Sequence, residues 1–204
     1  MLAAYAAASC CALLAPLDGP PVLNSPVFSL ATLNDDGTTN MQILTYATPV
    51  GVAPRTWALS LYGPTRTHSN FKARRSGVLQ LLTLDHAGLI WTLGGQSGGE
   101  IDKAAACAAA GFRWMDPASD MSDDEWAADG IQLLPGCACY LRLVQVEEDQ
   151  LRACGEHDVA ICTVEGAIGD PDLLPSAYSS ALNTQVCRLM GLISDRGKAI
   201  EPPS

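Results

Sequence analysis

The sequence predicts a mainly β chain, an antiparallel β-barrel carrying a few inserted helices. Three observations lead there. Short runs that alternate apolar and polar residues recur, as in Arg55–Gly63 (RTWALSLYG), the period-two signature of half-buried strands. Strong turn chemistry, Asn34-Asp35-Asp36-Gly37, separates the first two runs as in a hairpin. Finally, the alternation of strand, glycine loop and helix that builds a doubly wound parallel sheet is missing.

Each element follows in order. Met1–Leu17 is apolar and Ala-rich without a basic leader. It reads as an N-terminal helix packed on the domain, with a cleaved or targeting segment as the alternative. With the Pro-rich stretch Pro16–Pro26 it separates residues 1–24 from a domain at 25–204. Val27–Leu33 and Thr38–Tyr46 form the hairpin, and PVGVAP interrupts. A third strand sets Trp57, Leu59 and Leu61 against Thr56, Ala58 and Ser60. Thr67–Arg75 reads as a short helix capped by Thr67 or Ser69, and GVLQLLTL as a buried strand. GGQSGGE (94–100) is a glycine-rich connection, and EIDKAAACAAAGF a helix stopped by Gly111. Asp116–Gly130 reads as a solvated acidic loop. CACYLRLVQVEE and GEHDVAICTVEGAI are late strands, Ser176–Met190 a helix, and EPPS a tail.

Composition narrows the function classes. Hydrophobic residues make up 48%, enough for a proper core. Asp+Glu 22 against Lys+Arg 12 gives a net charge of −10. Nucleic acid and anionic membranes both call for a broad basic face, so neither is expected as a partner. The eight cysteines form no Cys-x-x-Cys pair and no zinc spacing with His, so no metal site is expected. They read as buried thiols of a reducing compartment, the cytoplasm, with an organelle left open by the N-terminal segment. Cys137 and Cys139 stand on one strand face, as packed thiols or a redox pair.

Catalytic constellations are sparse. No Gly-x-Ser-x-Gly elbow and no P-loop occur. Asp116–Asp129 lacks the glycine and glutamate spacing of a calcium loop. Among the three histidines, His86 follows Asp85 in an apparent turn and is expected at the surface. His157 is either a turn residue or a neighbour of a cofactor.

One stretch is chemically distinctive. Gly63–Gly77 (GPTRTHSNFKARRSG) gathers Arg66, Lys72, Arg74 and Arg75 in an acidic chain. Where a strand turns into a helix, unpaired amides and the positive dipole end favour an anion. Thr65, Arg66 and Thr67 read as a phosphate cradle, and Lys72, Arg74 and Arg75 as a solvated flank.

The order of pieces then resembles the flavin reductase-like family, the FMN-binding split barrels. The first fifteen positions of its pattern N-x-M-T-V-S-S-F-T-S-V-S-L-D-P-P align without a gap with Asn40–Pro54 (NMQILTYATPVGVAP), and S-I-x-x-x-R-x-T resembles Ser60–Thr67 (SLYGPTRT), with the arginine one place later at Arg66. NFKARRSGVLQLLT, LPGCACYLRLVQVEE and GEHDVAICTVEG follow in family order, the last resembling G-D-H-x-x-x-x-G-x-V. The resemblance implies a homodimer with FMN near the subunit interface. It implies that Thr45, Tyr46 and Ala47 run beside the flavin and its ribityl chain, that Ser60, Leu61 and Tyr62 line the next strand, and that Arg66 and Thr67 hold the phosphate. Ile43, Tyr46 and Cys162 stand where the family has Thr, Ser and Gly. The implied activity is hydride transfer from NAD(P)H to the flavin and on to a small-molecule acceptor. A non-catalytic split barrel binding flavin, haem or another ligand as sensor or carrier is the alternative.

Overall fold

The computed structural model describes residues 24–121, 124–146, 150–169 and 181–203. The N-terminal helix expected over 1–17, and residues 176–180 of the expected late helix, lie outside these ranges.

The chain begins with the predicted hairpin. β1 (Phe28–Leu33) and β2 (Thr39–Leu44) pair in antiparallel register. The turn between them uses Gly37 at φ 82°, a left-handed conformation that glycine adopts freely. β3 (Ala47–Val52) and β4 (Arg55–Tyr62) form a second hairpin. PVGVAP is therefore part of a strand and its turn. Pro49 fits because β3 lies at the sheet edge, where no ladder bond needs its missing N–H.

Helix α1 (Arg66–Arg74) follows, then β5 (Ser76–Leu81) and two irregular helical turns at Leu84–Leu89 and Trp91–Gly95. α2 (Lys103–Ala109) is capped by Asp102, whose carboxylate accepts from the Ala105 amide at 3.0 Å. The expected acidic loop instead holds a helical turn, Pro117–Met121, and a short helix α3 (Asp124–Ala127). Its Trp126 is buried, which anchors the segment on the barrel. β6 (Cys139–Gln145), β7 (Arg152–Cys154), the long β8 (His157–Gly169) and α4 (Thr184–Leu189) complete the order.

The sheet runs β2-β1-β5-β6-β8-β4-β3, all antiparallel, with β7 paired to β8. Its two edge strands are consecutive in the chain. Leu44 ends β2 and Ala47 begins β3, and three residue steps span about 11 Å at most. The sheet must therefore curl until its edges nearly meet, which makes a barrel split along one seam. Thr45 and Tyr46 bridge that seam.

Both faces of the central strands are covered. Leu30, Leu59, Leu61, Phe71, Leu79 and Leu143 fill one cluster, while Ala31, Met41 and Val78 pack with Leu89, Leu93, Trp114 and Leu133 in the other. Neighbours Leu30/Ala31 and Val78/Leu79 point to opposite clusters, as the strand period demands. Coverage on both faces explains why GVLQLLTL is continuously apolar.

Two expectations change here. His86 is fully buried: its Nδ1 accepts from the Thr83 amide at 3.1 Å, so its Nε2–H donates to the Pro135 carbonyl at 2.8 Å. Burial holds its pKa below the usual histidine value. Cys137 precedes β6 and is buried, while Cys139 on the strand is half-buried. All six described cysteines are free thiols; Cys154 is exposed. No described helix is long and apolar enough to cross a membrane.

Candidate functional site

The site grows from the end of β4. Tyr62 closes the strand, and the Thr65 amide and hydroxyl both donate to its carbonyl, at 3.2 and 2.8 Å. That turn places Thr65, rather than Thr67 or Ser69, at the cap of α1, where its Oγ1 accepts from the His68 amide at 3.2 Å. The Arg66 and Thr67 amides, ahead of the first intrahelical bond, have no carbonyl to reach. No acidic residue occupies the first turn, so the positive end of the helix is not neutralised locally. The Arg66 guanidinium is exposed and forms no ion pair among the described residues. Arg66 acts electrostatically on Asp36, whose carboxyl is held below its usual range first by hydrogen bonds from Thr38 and also by Arg66.

Thr67 is buried under this turn, and its hydroxyl accepts from Asn40 Nδ2 at 2.8 Å. His68 and Asp158 face each other at 2.7 Å and tie α1 to β8. The basic flank divides. Lys72 and Arg74 are exposed, whereas Arg75 takes the left-handed cap of α1 and donates to the Val146 carbonyl at 2.8 Å.

Two depressions flank this turn. A wide groove of about 320 Å³ follows the seam and is lined by Thr45, Tyr46, Ala47 and Ser60, with Ala58 and Val159. A narrow cleft is lined by Leu61, Tyr62, Thr65 and Thr67, with Gln42 and Ile43. Leu61 reaches it from the core, being almost wholly buried. Arg66 and His157 line neither. His157 pairs with Tyr62 across β8 and β4, and its ring stands 5.2 Å from that of Tyr62 and 6.0 Å from that of Tyr46. Three exposed or half-exposed rings thus meet between the two depressions. Tyr46 is 63% exposed, so its ring does not plug the groove.

Sequence reasoning missed three neighbours of the turn, Asn40, Gly98 and Gly99, and the buried Lys103 that binds the Met41 carbonyl beside Asn40. The signal available was the run of glycines at 94–99 and a lone lysine in an alanine helix.

The model of the flavin reductase-like domain matches residues 22–182. The chain belongs to the flavin reductase-like domain family. Solved structures agree in fold. An FMN-binding protein from Thermus thermophilus, with bound p-hydroxybenzaldehyde, superposes with TM-score 0.62 at 17% identity, covering 85% of each chain. A flavoredoxin from Methanosarcina acetivorans gives 0.62 at 14% identity, over 78% of this chain and 76% of its own. An NADH:FAD oxidoreductase from Streptomyces globisporus gives 0.58 at 13%, over 74% and 78%. No curated protein sequence matches. At these identities the likeness establishes the split-barrel fold shared with the flavin reductase-like family.

Proposed function

We propose that this flavin reductase-like chain binds FMN across the seam and passes a hydride from NAD(P)H through it to a small-molecule acceptor. The observation that carries this reading is the α1 turn: two free amides, an uncompensated dipole and an unpaired guanidinium converge where β4 ends. Those donors fit a phosphate monoester. The adjoining groove is open, because Tyr46 stands out of it.

A bound flavin supplies hydride and electron transfer that side chains lack. The chain's own work is then to bind and orient. Arg66 and the amides of Arg66 and Thr67 would hold the phosphate. Thr45, Tyr46 and Ala47 would hold the ring system and ribityl chain, together with Ser60, whose amide is fixed by the Tyr46 carbonyl at 2.9 Å. The His68–Asp158 pair keeps the α1 turn in register with β8. The groove's open side fits a second copy of the chain, so we also propose a homodimer.

Titration of the purified protein with FMN, followed by NADH or NADPH oxidation, tests this. Micromolar binding and acceptor-dependent oxidation are expected. Absence of flavin binding overturns the reading. Binding without turnover would favour a sensor or carrier, which Ile43 supports: the family's Thr is replaced by an aliphatic chain packed on the core.

A further inference from the structure

Asn40 and Thr67 are buried together beneath the first turn of α1, and Lys103 is buried against the neighbouring residue of β2, Met41. Asn40, Thr67 and Lys103 are each 6% exposed or less. Asn40 Nδ2 donates to Thr67 Oγ1 at 2.8 Å. At the next residue of β2, the Met41 carbonyl accepts from Lys103 Nζ at 3.0 Å, and the same ammonium donates to the Leu93 carbonyl at 2.9 Å.

This is an unfavourable place for a lysine. No carboxylate pairs with it among the described residues, and burying an ammonium without a counter-charge is costly. It is also the first residue of α2, where the helix dipole disfavours a cation. The surroundings, Met41, Leu93 and Cys107, belong to an apolar cluster that a methionine would fill. Burial pushes the Lys103 pKa down to about 8. A charge retained against these terms points to a role outside core packing.

Its two acceptors indicate the role. Met41 adjoins Asn40, and Leu93 opens into the loop Gly94–Glu100. That loop returns to the α1 turn. A Cβ on Gly98 would stand 2.4 Å from Asn40 Oδ1, and one on Gly99 would stand 3.5 Å from Arg66 Nη2. Only glycine lets backbone approach Asn40 so closely, and Asn40 in turn holds the Thr67 hydroxyl.

We propose that Lys103 is a positioning residue for the phosphate subsite: it staples the Gly94–Glu100 loop to β2, so that the loop stands beside Arg66 as a second wall and the buried charge adds to the field at the α1 turn. The inference rests on the FMN reading above. It extends the anion site from the strand-to-helix turn to the glycine-rich loop.

FMN and riboflavin, which differ by the phosphate, separate the outcomes. Their affinities are measured by quenching of flavin fluorescence, at pH 7 and pH 9, for wild type, Lys103→Met and Gly98→Ala. Lys103→Met is expected to weaken FMN roughly tenfold, the scale of one lost charge interaction, and to leave riboflavin unchanged. The wild-type preference for FMN should fall as pH rises through about 8, where Lys103 loses its proton, and this fall should be absent in Lys103→Met.

Cys107, one turn on, is the titratable group facing Lys103 from α2, and burial holds its thiol above 9.0. β2 and the Leu93 turn offer it carbonyls only. At the subsite, Asp36, whose carboxyl is held below its usual range by hydrogen bonds from Thr38 and by Arg66, stays ionised throughout this window.

Equal weakening of both flavins, or a pH slope that survives in Lys103→Met, overturns the proposal. If Lys103→Met does not fold, Gly98→Ala tests the loop wall by itself, because Gly98 has ordinary backbone and the added methyl meets first Asn40 Oδ1 at 2.4 Å and then Arg66 Cδ at 3.9 Å. Loss confined to FMN supports the proposal, and no loss overturns it. Wild-type protein that binds both flavins equally overturns the phosphate site itself, and protein that binds neither overturns the cofactor reading with it.

Discussion

Arg66 and Lys103 show how solvent decides what a cation does. Arg66 is exposed, unpaired and set at a helix start, so it is available to a ligand. Replacing it with alanine is expected to weaken FMN binding by about 1–3 kcal/mol, the worth of a charged hydrogen bond. Isothermal titration checks this, and unchanged affinity would remove Arg66 from the site. Lys103 is buried, and its pKa is lowered from 10.5 to about 8. Below pH 8 both folded and unfolded chains carry the charge, and folding bears the cost of desolvating it. Between about 8 and 10.5 the unfolded chain binds more protons, so stability rises with pH across that window. The full rise is about 3 kcal/mol at 1.36 kcal/mol per unit. Urea unfolding of wild type and Lys103→Met from pH 7 to 10 should show the rise in wild type alone. Among single residues, Arg66 was legible in the sequence because a cation beside hydroxyls in an acidic chain is conspicuous. Lys103 was not, since its burial depends on where β2 and the Leu93 turn fall.

At the scale of elements, α1 is the part whose local chemistry matters most. It has nine residues, too few to be stable alone, and it rests on the barrel through Phe71 and Thr67. Thr65 secures its start by accepting from His68 and donating to Tyr62. Thr65→Ala is expected to cost about 1 kcal/mol of folding stability, read from thermal or urea unfolding. FMN affinity should fall with it, since fraying of the first turn disperses the amides. β3 shows the opposite lesson. Pro49 and Pro54 made PVGVAP read as a break, yet an edge strand tolerates proline, and only the pairing of Pro49 with Trp57 reveals the strand. His86 was misread for a related reason. Its immediate neighbours look like a turn, but the carbonyl that buries it, Pro135, is 49 residues away.

The whole molecule is governed by the seam. Among the described residues β3 pairs along one edge alone, with β4, and it shows Val50 and Val52 to solvent. Unprotected apolar edges are sites of association. Light scattering is expected to give twice the chain mass of 21.4 kDa, and a single-chain mass would overturn the homodimer and leave the groove open on one side.

Taken by itself, the sequence determined the strand faces, the first hairpin turn and the presence of a strand-to-helix junction carrying Thr65, Arg66 and Thr67. All three depend on periodicity and on residues within a few positions of one another. The tertiary structure alone decided that Thr45 and Tyr46 bridge the seam, that His157 meets both tyrosines, and that the glycine-rich loop returns to Arg66. Those contacts join residues tens of positions apart. Their geometry is fixed by the curl of the sheet and by close approaches that no local pattern encodes.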